Sequence, residues 1–326
     1  MSRVRGAEPS VSVCIVTFNS AEHIGECLEA IERQTWPNVT VVVVDNDSRD
    51  STVRILMEKA PYVKLIRNAD NRGFAAGQNQ AIASTDSDYV LVLNADVILE
   101  RDYIENIVRV MEANSEIGSA CGCLALKDDP ATVDSTGLKM TWARKAVERG
   151  GGRPVADFAQ SCEVFGVSGA AAVYARRMID HISINGEFFD ETFFAYKEDV
   201  DVAWRAQRLG WKAWYEASAK ALHVRHWRSR KERKRIPLKV RKHSYQNRYL
   251  MIAKNETFDL KWWVSLPALL VYEAALNGYM LLRDPKVLTC WGNLWHLLKD
   301  AWRKRKSIQI LSKSPNGNMH SPSSQM

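Results

Sequence analysis

The sequence lacks the motifs of the commonest nucleotide-binding and zinc-binding proteins. Its six cysteines form neither a CxxC pair nor a Cys/His spacing typical of structural zinc. It contains no GxxxxGK[ST] motif, and no GxGxxG follows the first predicted strand. These absences argue against a structural zinc protein, a P-loop enzyme and a dinucleotide-dependent enzyme. We expect the cysteines to be buried, reduced thiols of a cytosolic protein.

The first residues also lack the pattern of a secretory signal. Residues 1–8 are polar, and the apolar run that follows is brief and β-branched. We therefore expect the catalytic part of the chain to face the cytoplasm. A length of 326 residues, 46% of them hydrophobic and 25% charged, suits a soluble globular protein with one large α/β domain and an appendage, or with two ordinary domains.

Short apolar runs alternate with amphipathic stretches over the first half of the chain, a pattern typical of repeated βα units. Strands are predicted at 11–18, 39–44, 62–66, 89–93, 166–175, 211–215 and 219–223, and helices near 21–34, 52–59, 75–83, 103–113 and 198–209. Valine and leucine runs without polar alternation indicate strands covered on both faces, as in a parallel sheet. The polar segment 127–160 is predicted to be a variable excursion over the active face.

Polar side chains follow three of the predicted strands. Thr17 and Asn19 come after the first, Asp45 after the second, and Asn94 and Asp96 after the fourth. Ligands of open α/β sheets bind outside the carboxyl ends of the strands, so these side chains are expected to line one crevice. Two alternatives stay open, because Asp45 to Ser48 also suits a turn with a helix N-cap, and residues 71–77 also suit a plain turn into a helix.

Two segments with acidic residues suggest a metal site and a general base. Asn94-Ala95-Asp96 could bind Mg²⁺ through one carboxylate, with diphosphate oxygens and water completing the shell. In Glu198-Asp199-Val200-Asp201, one carboxylate could serve as a general base, since clustered like charges raise a carboxyl pKa. The alternative for the second segment is a helix start, where acidic residues are favoured by the helix dipole.

Taken together, these residues resemble the family 2 glycosyltransferases with the GT-A fold, over about residues 10–255. The resemblance rests on the ordered segments VTFN (16–19), VDNDSRDS (44–51), NRGFAAGQN (71–79), LNADV (93–97) and FFAYKEDVD (193–201), followed by Trp204-Arg205 and Gly210-Trp211. It is most similar to the bacterial rhamnosyltransferase-type branch, which builds surface polysaccharides. The implied fold is a mixed, mostly parallel sheet with helices on both faces and a C-terminal helical, amphipathic extension.

The resemblance implies a nucleotide site. Thr17, Asn19 and Asp45 would bind the nucleoside, with Asp45 reading a pyrimidine ring. Arg72 and Gly73, with the loop to Asn79, would line the same site. Ala76 and Ala81 depart from the family pattern, because relatives often have glycine at these positions.

The resemblance also implies a metal site and a base. Asp96 would bind Mg²⁺ or Mn²⁺, and Asn94 would lie beside the ribose or the metal. His223 falls where some relatives place a further metal or diphosphate contact, although an isolated histidine is more often structural. Asp199 would be the catalytic base. We expect Glu198 to contribute to the substrate site, and Trp204 to offer an apolar face to a sugar or to pack in the core. The triplet begins with Asn where relatives often have Asp, which leaves one carboxylate fewer for the cation.

The implied reaction is an inverting transfer of a sugar, with L-rhamnose one candidate, from a dTDP- or UDP-sugar to a hydroxyl of a saccharide or polyprenyl-linked saccharide. One alternative is a nucleotidyltransferase of similar fold, although its glycine-rich basic loop is missing where Phe18-Asn19-Ser20 stands. Another is a non-catalytic membrane-associated scaffold, against which the intact acidic cluster argues.

The C-terminal third has a different composition. We expect a flexible N-terminus (1–9), a catalytic domain (10–224), a basic and amphipathic helical region (225–310) and a disordered tail (311–326).

The basic run 228–235 suits a solvated loop, a nucleic-acid patch or an anionic-lipid patch. No nucleic-acid-binding motif accompanies it, and the apolar stretches at 262–282 and 287–302 favour lipid. Glu273 near the middle of the first stretch disfavours a span, so we expect a peripheral position on the inner face of the cell membrane, with a soluble form and a true span as alternatives. The oligomeric state is not predicted.

Overall fold

The structure is a computed structural model that describes residues 8–225 and 236–313 of the chain. Most of the predicted flexible N-terminus (1–9), the basic run 228–235 and most of the predicted tail (311–326) therefore lie outside the described residues. The remaining chain alternates strands with helices in its first half, as the apolar pattern predicts.

The strands are β1 (Val11–Thr17), β2 (Val39–Asp45), β3 (Lys64–Arg67), β4 (Tyr89–Leu93), β5 (Val97–Leu99), β6 (Ile117–Leu126), β7 (Asp129–Ser135), β8 (Leu138–Met140), β9 (Ala146–Glu148), β10 (Cys162–Val164), β11 (Ala171–Ala175) and β12 (Lys212–His223). The helices are α1 (Ile24–Glu32), α2 (Thr52–Lys59), α3 (Phe74–Ala83), α4 (Tyr103–Ala113), α5 (Arg176–Ile182), α6 (Glu198–Arg208), α7 (Leu238–Asn255), α8 (Leu260–Arg283) and α9 (Trp291–Lys313). Short 3₁₀ helices occur at Val155–Phe158, Glu191–Phe193 and Pro285–Cys290.

One mixed sheet of ten strands forms the centre of the molecule. Its order is β10-β12-β6-β11-β4-β1-β2-β3, with β5 beside β12 and β7 beside β6. The neighbours β3, β2, β1 and β4 are parallel, whereas β11 is antiparallel to both β4 and β6. The carboxyl ends of β1, β2 and β4 therefore meet at one edge, where the sequence places its polar residues. The predicted α/β class is confirmed.

The valine run of β2 is covered on both faces of the sheet. Val43 and Val44 are completely buried, and α3 packs across β1 and β2. Burying such a side chain stabilises the fold by roughly 1.5–3 kcal/mol, so these strands form a rigid base for the loops at their ends. All six cysteines are free, and all but the half-buried Cys162 are buried, as expected.

Several boundaries differ from those predicted. The polar segment 127–160 contains β7, the hairpin β8–β9 and a 3₁₀ helix, because local pairing orders it despite its weak periodicity. The two short strands predicted at 211–215 and 219–223 are one strand, β12, which has an irregular register to β6 between Tyr215 and Lys220. The strand predicted at 166–175 begins only at Ala171, and α9 continues to Lys313, into the segment predicted to be a tail.

The C-terminal helices pack on the preceding part of the chain through buried charges. Lys254 of α7 lies between Asp190 and Asp201, with its Nζ 2.8 Å and 2.7 Å from their carboxylate oxygens. Lys304 of α9 contacts the other oxygen of Asp190 at 2.6 Å. Arg205 of α6 pairs with Asp201 at 3.2 Å. These helices are thus joined to the helix that carries the acidic cluster.

Candidate active site

The loops after β1 and β2 are hydrogen-bonded to each other. Thr17 Oγ1 donates to Asp45 Oδ1 at 2.9 Å, and both residues are buried. The hydroxyl and backbone N–H of Ser48 donate to the two oxygens of Asp45, at 2.6 and 3.0 Å. Asn19 has φ of 53°, its N–H donates to Ser48 Oγ, and its Oδ1 accepts from the N–H of Arg49. Thr17, Asn19 and Asp45 therefore form one hydrogen-bonded wall at the ends of β1 and β2.

The loop 71–79 lies directly beside this wall. Asn46 Nδ2 donates to the carbonyl oxygen of Gly73 at 2.9 Å. Gly73 has φ of 89°, and a Cβ there would lie 2.6 Å from both the ring and the carbonyl oxygen of Phe194. Glycine is required at this position on both grounds. Arg72 is exposed at the start of the loop, free to reach an anionic ligand.

Asn79 has a different environment from the rest of this loop. Its Nδ2 donates to the carbonyl oxygen of Phe189 at 2.7 Å and to Glu191 Oε1 at 3.1 Å, and its Oδ1 accepts from the N–H of Phe189. A contact between Asn79 and a nucleotide would have to replace one of these bonds.

The predicted metal residues lie together at the ends of β4 and β12. His223 is the last residue of β12 and pairs with Val97 of β5, which brings its Nε2 to 3.5 Å from Asp96 Oδ1. That Asp96 oxygen is buried and accepts no hydrogen bond. Burial alone lowers the pKa of His223, but the hydrogen bond to Asp134 and the negative charges of Asp96 and Asp134 outweigh it and raise the pKa to about 9. A cation bound between Asp96 and His223 would therefore compete with the proton on the His223 imidazole.

Asp134, at the end of β7, was not predicted as a site residue. Its Oδ2 lies 2.7 Å from His223 Nδ1, and its other oxygen pairs with Arg225. A carboxylate on the far nitrogen of an imidazole orients the ring for a metal. The donor set of Asp96 and His223 therefore fits a divalent cation. Within residues 8–225 and 236–313 no group of three or more such ligands occurs, so other oxygens would have to complete a coordination shell.

The three acidic residues of the cluster 198–201 differ in environment. Asp199 Oδ2 accepts from the N–H of Gly169 at 3.1 Å, and its Oδ1 accepts from the N–H of Val200 at 2.7 Å. Glu198 is buried, and its Oε2 has no hydrogen-bond partner. Asp201 is fully buried on the other side of α6, where it pairs with Arg205 and Lys254. Only Glu198 and Asp199 remain available for chemistry.

Burial raises the pKa of Asp199, although the N–H groups of Gly169 and Val200 oppose the shift. Burial and then the charge of Asp199 raise the pKa of Glu198. Two adjacent carboxyl groups with raised pKa values are typical of a site that handles protons.

A cavity of about 530 Å³ brings four of the predicted residues together. Asn94, Glu198, Asp199 and His223 line it, together with Gly169 and Phe74 and other residues of the segments 146–148 and 195–200. A larger cavity of about 700 Å³ lies beside Val39 and Ser84, at the opposite edge of the sheet, and contains none of the predicted site residues. The chemistry of the lining, and not the size, identifies the smaller cavity as the candidate active site.

Two further residues complete the description of this cavity. Glu148 of β9 lines it, and burial raises the pKa of Glu148 to about 7 despite the hydrogen bond from Ser135. No motif surrounds Glu148, so sequence reasoning missed it. Trp204, which the sequence predicts to contact a sugar or to pack in the core, does not line this cavity. It packs with Leu250 on the side of α6 that faces the C-terminal helices.

Comparison with known proteins shows that this fold is that of the GT-A glycosyltransferases. A mannosyltransferase from Pyrobaculum calidifontis, solved with GDP-Man and Mn²⁺, superimposes with a TM-score of 0.56 at 18% identity, over 94% of this chain and 87% of that one. GalNAc-T7, solved with UDP, GalNAc and Mn²⁺, superimposes with a TM-score of 0.59 at 12% identity, over 79% and 50%.

Sequence comparison then identifies the family. Residues 12–183 match glycosyl transferase family 2, and the protein belongs to that family. The N-acetylglucosaminyl-diphospho-decaprenol L-rhamnosyltransferase of Mycobacterium tuberculosis is 26% identical over 239 residues, which are 65% of this chain and 75% of that protein. The O-antigen chain rhamnosyltransferase RfbN of Salmonella typhimurium is 26% identical over 227 residues, 68% of each chain. Three other bacterial glycosyltransferases match over shorter segments, and the matched segment spans only 35% to 38% of their length.

Proposed function

We propose that the protein is an inverting glycosyltransferase, with Asp199 as the base that activates the acceptor. The observation that carries the proposal is the position of Asp199, which shares one cavity with His223 of the Asp96–His223 pair. Asp199 removes the proton of an acceptor hydroxyl as that oxygen attacks the anomeric carbon of the donor sugar. The nucleoside diphosphate leaves from the opposite face, so a single displacement inverts the configuration. No protein nucleophile is needed, unlike in glycosidases that retain configuration.

The residues around Asp199 have supporting roles in this proposal. Thr17, Asn19 and Asp45 bind the nucleoside, and Arg72 and Gly73 lie along the diphosphate. Asp96 and His223 bind Mg²⁺ or Mn²⁺, and such a cation, when bound, neutralises charge on the departing diphosphate. Asn94 lies beside the ribose or the cation. Glu198, buried next to Asp199 with its own pKa raised by burial and by the charge of Asp199, contributes to the substrate site.

The relatives support a narrower choice of substrates. Both long matches are named rhamnosyltransferases, and one is named for an acceptor linked to diphospho-decaprenol. We therefore propose an L-rhamnosyl or similar sugar on dTDP or UDP as donor, and a saccharide on a polyprenyl diphosphate as acceptor, in the synthesis of a cell-surface polysaccharide. The family assignment favours this over a nucleotidyltransferase or a non-catalytic scaffold.

We also propose that the protein lies on the inner face of the cell membrane through α8. Within the described ranges α8 alone is long and apolar enough to cross a membrane, and it is largely exposed. Its exposed residues Trp263, Leu270 and Val271 lie on one face. Glu273 lies on the other face, where it pairs with Arg248 of α7 at 2.6 Å. This pair keeps one side of α8 on the protein, which favours interfacial binding over a span.

The experiment that tests the function is donor turnover. Purified protein is incubated with dTDP-rhamnose and a panel of UDP-sugars, a lipid-linked saccharide and either Mg²⁺ or EDTA, and the released nucleoside diphosphate is measured. Asp199→Asn should abolish transfer and retain donor binding, whereas Asp102→Asn, an exposed aspartate without a capping hydrogen bond, should leave both unchanged. Near-normal transfer by Asp199→Asn would refute its assignment as the base, and absence of any turnover or nucleotide binding would refute the enzyme proposal.

A further inference from the structure

The loop that leads into α6 has an unusual backbone. Phe194, Tyr196 and Lys197 all have positive φ, of 60°, 72° and 71°. Phe194 has ψ of −62°, and the N–H of Ala195 donates to the carbonyl oxygen of Phe193 at 2.6 Å, which makes a γ-turn of the strained type. Residues with side chains adopt such conformations at a cost and persist in them only where the surrounding structure holds them. This loop ends one residue before Glu198 and two before Asp199.

A single side chain of the C-terminal region binds most of this loop. Asn247 of α7 is fully buried, and its Nδ2 lies 2.8 Å from the carbonyl oxygen of Phe193, 3.0 Å from that of Ala195 and 2.8 Å from that of Tyr196. An amide nitrogen has two hydrogens, so one of these three bonds is shared. All of the donor capacity of Asn247 is directed at the loop.

The same face of α7 also contacts the Phe194 ring. His243 stacks on it, with ring centroids 4.9 Å apart and an interplanar angle of 16°. The Nζ of Lys239 lies 4.2 Å from the ring centroid. Lys239, His243 and Asn247 follow one another at intervals of four residues, which places them on one helix face.

The other side of the loop contacts the candidate nucleotide site. The carbonyl oxygen of Phe194 accepts from the N–H groups of Phe74 and Ala75 at 2.6 and 3.2 Å, at the beginning of α3. Gly73 lies so close to Phe194 that a Cβ would collide with it. The loop 193–197 therefore connects the nucleotide loop, the start of α6 and the buried face of α7.

We propose that Asn247 is a positioning residue for sugar transfer. It fixes the strained loop 193–197, and this loop sets where α6 begins and so where the carboxylate of Asp199 meets the acceptor. The inference rests on the proposed role of Asp199 as base. It assigns α7 to the catalytic unit, beyond any part that the C-terminal region has in membrane binding.

The test is the kinetics of Asn247→Ala in the full chain, at a temperature where circular dichroism shows the variant folded. Displacing a reacting group by about 1 Å costs on the order of 100-fold in rate, so kcat should fall about 10- to 100-fold. Asn277→Ala is the matched control, because Asn277 of α8 bonds to Tyr245 and Tyr249 and does not touch the loop. This control should lower the melting temperature and keep kcat within about twofold of the wild-type value.

A second pair of variants separates positioning from general stability. The Tyr196→Gly substitution removes the backbone strain at this position, because glycine adopts φ of 72° without cost. Asn247→Ala should then cost at least about threefold less in kcat than it does in the wild-type background. An equal loss in both backgrounds would overturn the proposal. If Asn247→Ala does not fold, Asn247→Ser, which retains one donor, should give a smaller loss of kcat in the same cycle.

The outcomes distinguish this inference from the proposed function. If the wild-type protein transfers sugar, Asp199→Asn does not, and folded Asn247→Ala retains a kcat within twofold of wild type, then only the positioning role is wrong. If Asp199→Asn retains transfer, the proposed base is wrong as well.

Discussion

The buried ion cluster between α6, α7 and α9 leads to a prediction about stability. Asp190 is 5% exposed and accepts bonds from two lysines, Lys254 at 2.8 Å and Lys304 at 2.6 Å. Replacing Asp190 with Asn keeps the volume and an oxygen that can still accept from the N–H of Thr192. It removes the negative charge that both lysines share, so the substitution isolates the electrostatic contribution of the cluster.

The expected loss in unfolding free energy depends on the ion-pair partners that Lys254 and Lys304 keep. Breaking a buried ion pair by removing one member costs about 3–5 kcal/mol, since an uncompensated charge stays buried. Lys254 retains Asp201 at 2.7 Å, and Lys304 retains Asp300 at 3.2 Å. The lower end of the range, about 3 kcal/mol, is therefore expected for Asp190→Asn, with a fall in Tm on the order of 5 °C or more.

The pH dependence gives a second signature of the same contact. Burial raises the pKa of Asp190, but the charges of Lys254 and Lys304 outweigh it and hold the pKa well below its ordinary value. A lowered folded-state pKa contributes stability that is present above the unfolded-state pKa and is lost as the pH falls toward the folded-state pKa. The difference between wild type and Asp190→Asn should thus be full at neutral pH and should shrink below about pH 4.

The assay is urea unfolding followed by tryptophan fluorescence, at neutral pH and at several acidic pH values. Glu58→Gln serves as the control, because Glu58 forms an exposed pair with Arg54 on α2. It should change the unfolding free energy by less than about 0.5 kcal/mol. A loss below about 1 kcal/mol for Asp190→Asn, or a loss that does not depend on pH, would refute the reasoning.

Two further predictions concern the metal and the membrane. Asp134→Asn should weaken Mn²⁺ binding about 10- to 100-fold in calorimetric titrations with a donor analogue, because Asp134 orients His223 through the 2.7 Å contact; unchanged affinity would count against a metal at this histidine. Trp263→Ser combined with Val271→Ser should reduce flotation with anionic liposomes and leave donor turnover in detergent unchanged, since both side chains are more than half exposed on α8. Met57→Ser, at an exposed apolar residue of α2, is the matched control, and equal flotation of the two proteins would contradict interfacial binding by α8.

The sequence predicts which side chains meet at the ends of β1 and β2, because their placement depends on local rules. Thr17 and Asp45 end adjacent parallel strands, and in a parallel sheet the carboxyl ends of neighbours lie side by side. Their 2.9 Å hydrogen bond follows from this register. The same logic places Asp96 near the crevice, because it follows β4, the neighbour of β1 on the other side.

The sequence cannot predict contacts that join distant segments with no shared motif. Asp134 reaches His223 across 89 residues, and Glu148 enters the cavity from a hairpin whose polar composition resembles that of an ordinary loop. Asn247 lies in a basic stretch, and the charge of that stretch predicts a surface-exposed segment. The Asn247 side chain is nevertheless completely buried. Each of these residues is placed by tertiary contacts between distant segments, and no periodicity or spacing in the sequence records such contacts.

In the acidic cluster 198–201, the burial and partners of each carboxylate distinguish residues that the sequence alone cannot tell apart. Asp199 and Asp201 are separated by one residue, so on a helix they point about 200° apart. Asp201 is neutralised by Lys254 and Arg205 and fixes the helix, whereas Asp199 faces the cavity with only backbone N–H donors on its oxygens. The charge on Asp201 is thus compensated by Arg205 of α6 and Lys254 of α7. The raised pKa of Asp199 comes from its burial, which outweighs the opposing N–H groups of Gly169 and Val200. Loss of α7 would remove Lys254 and the Asn247 contacts together, so we expect the C-terminal region to be required for the proposed sugar transfer.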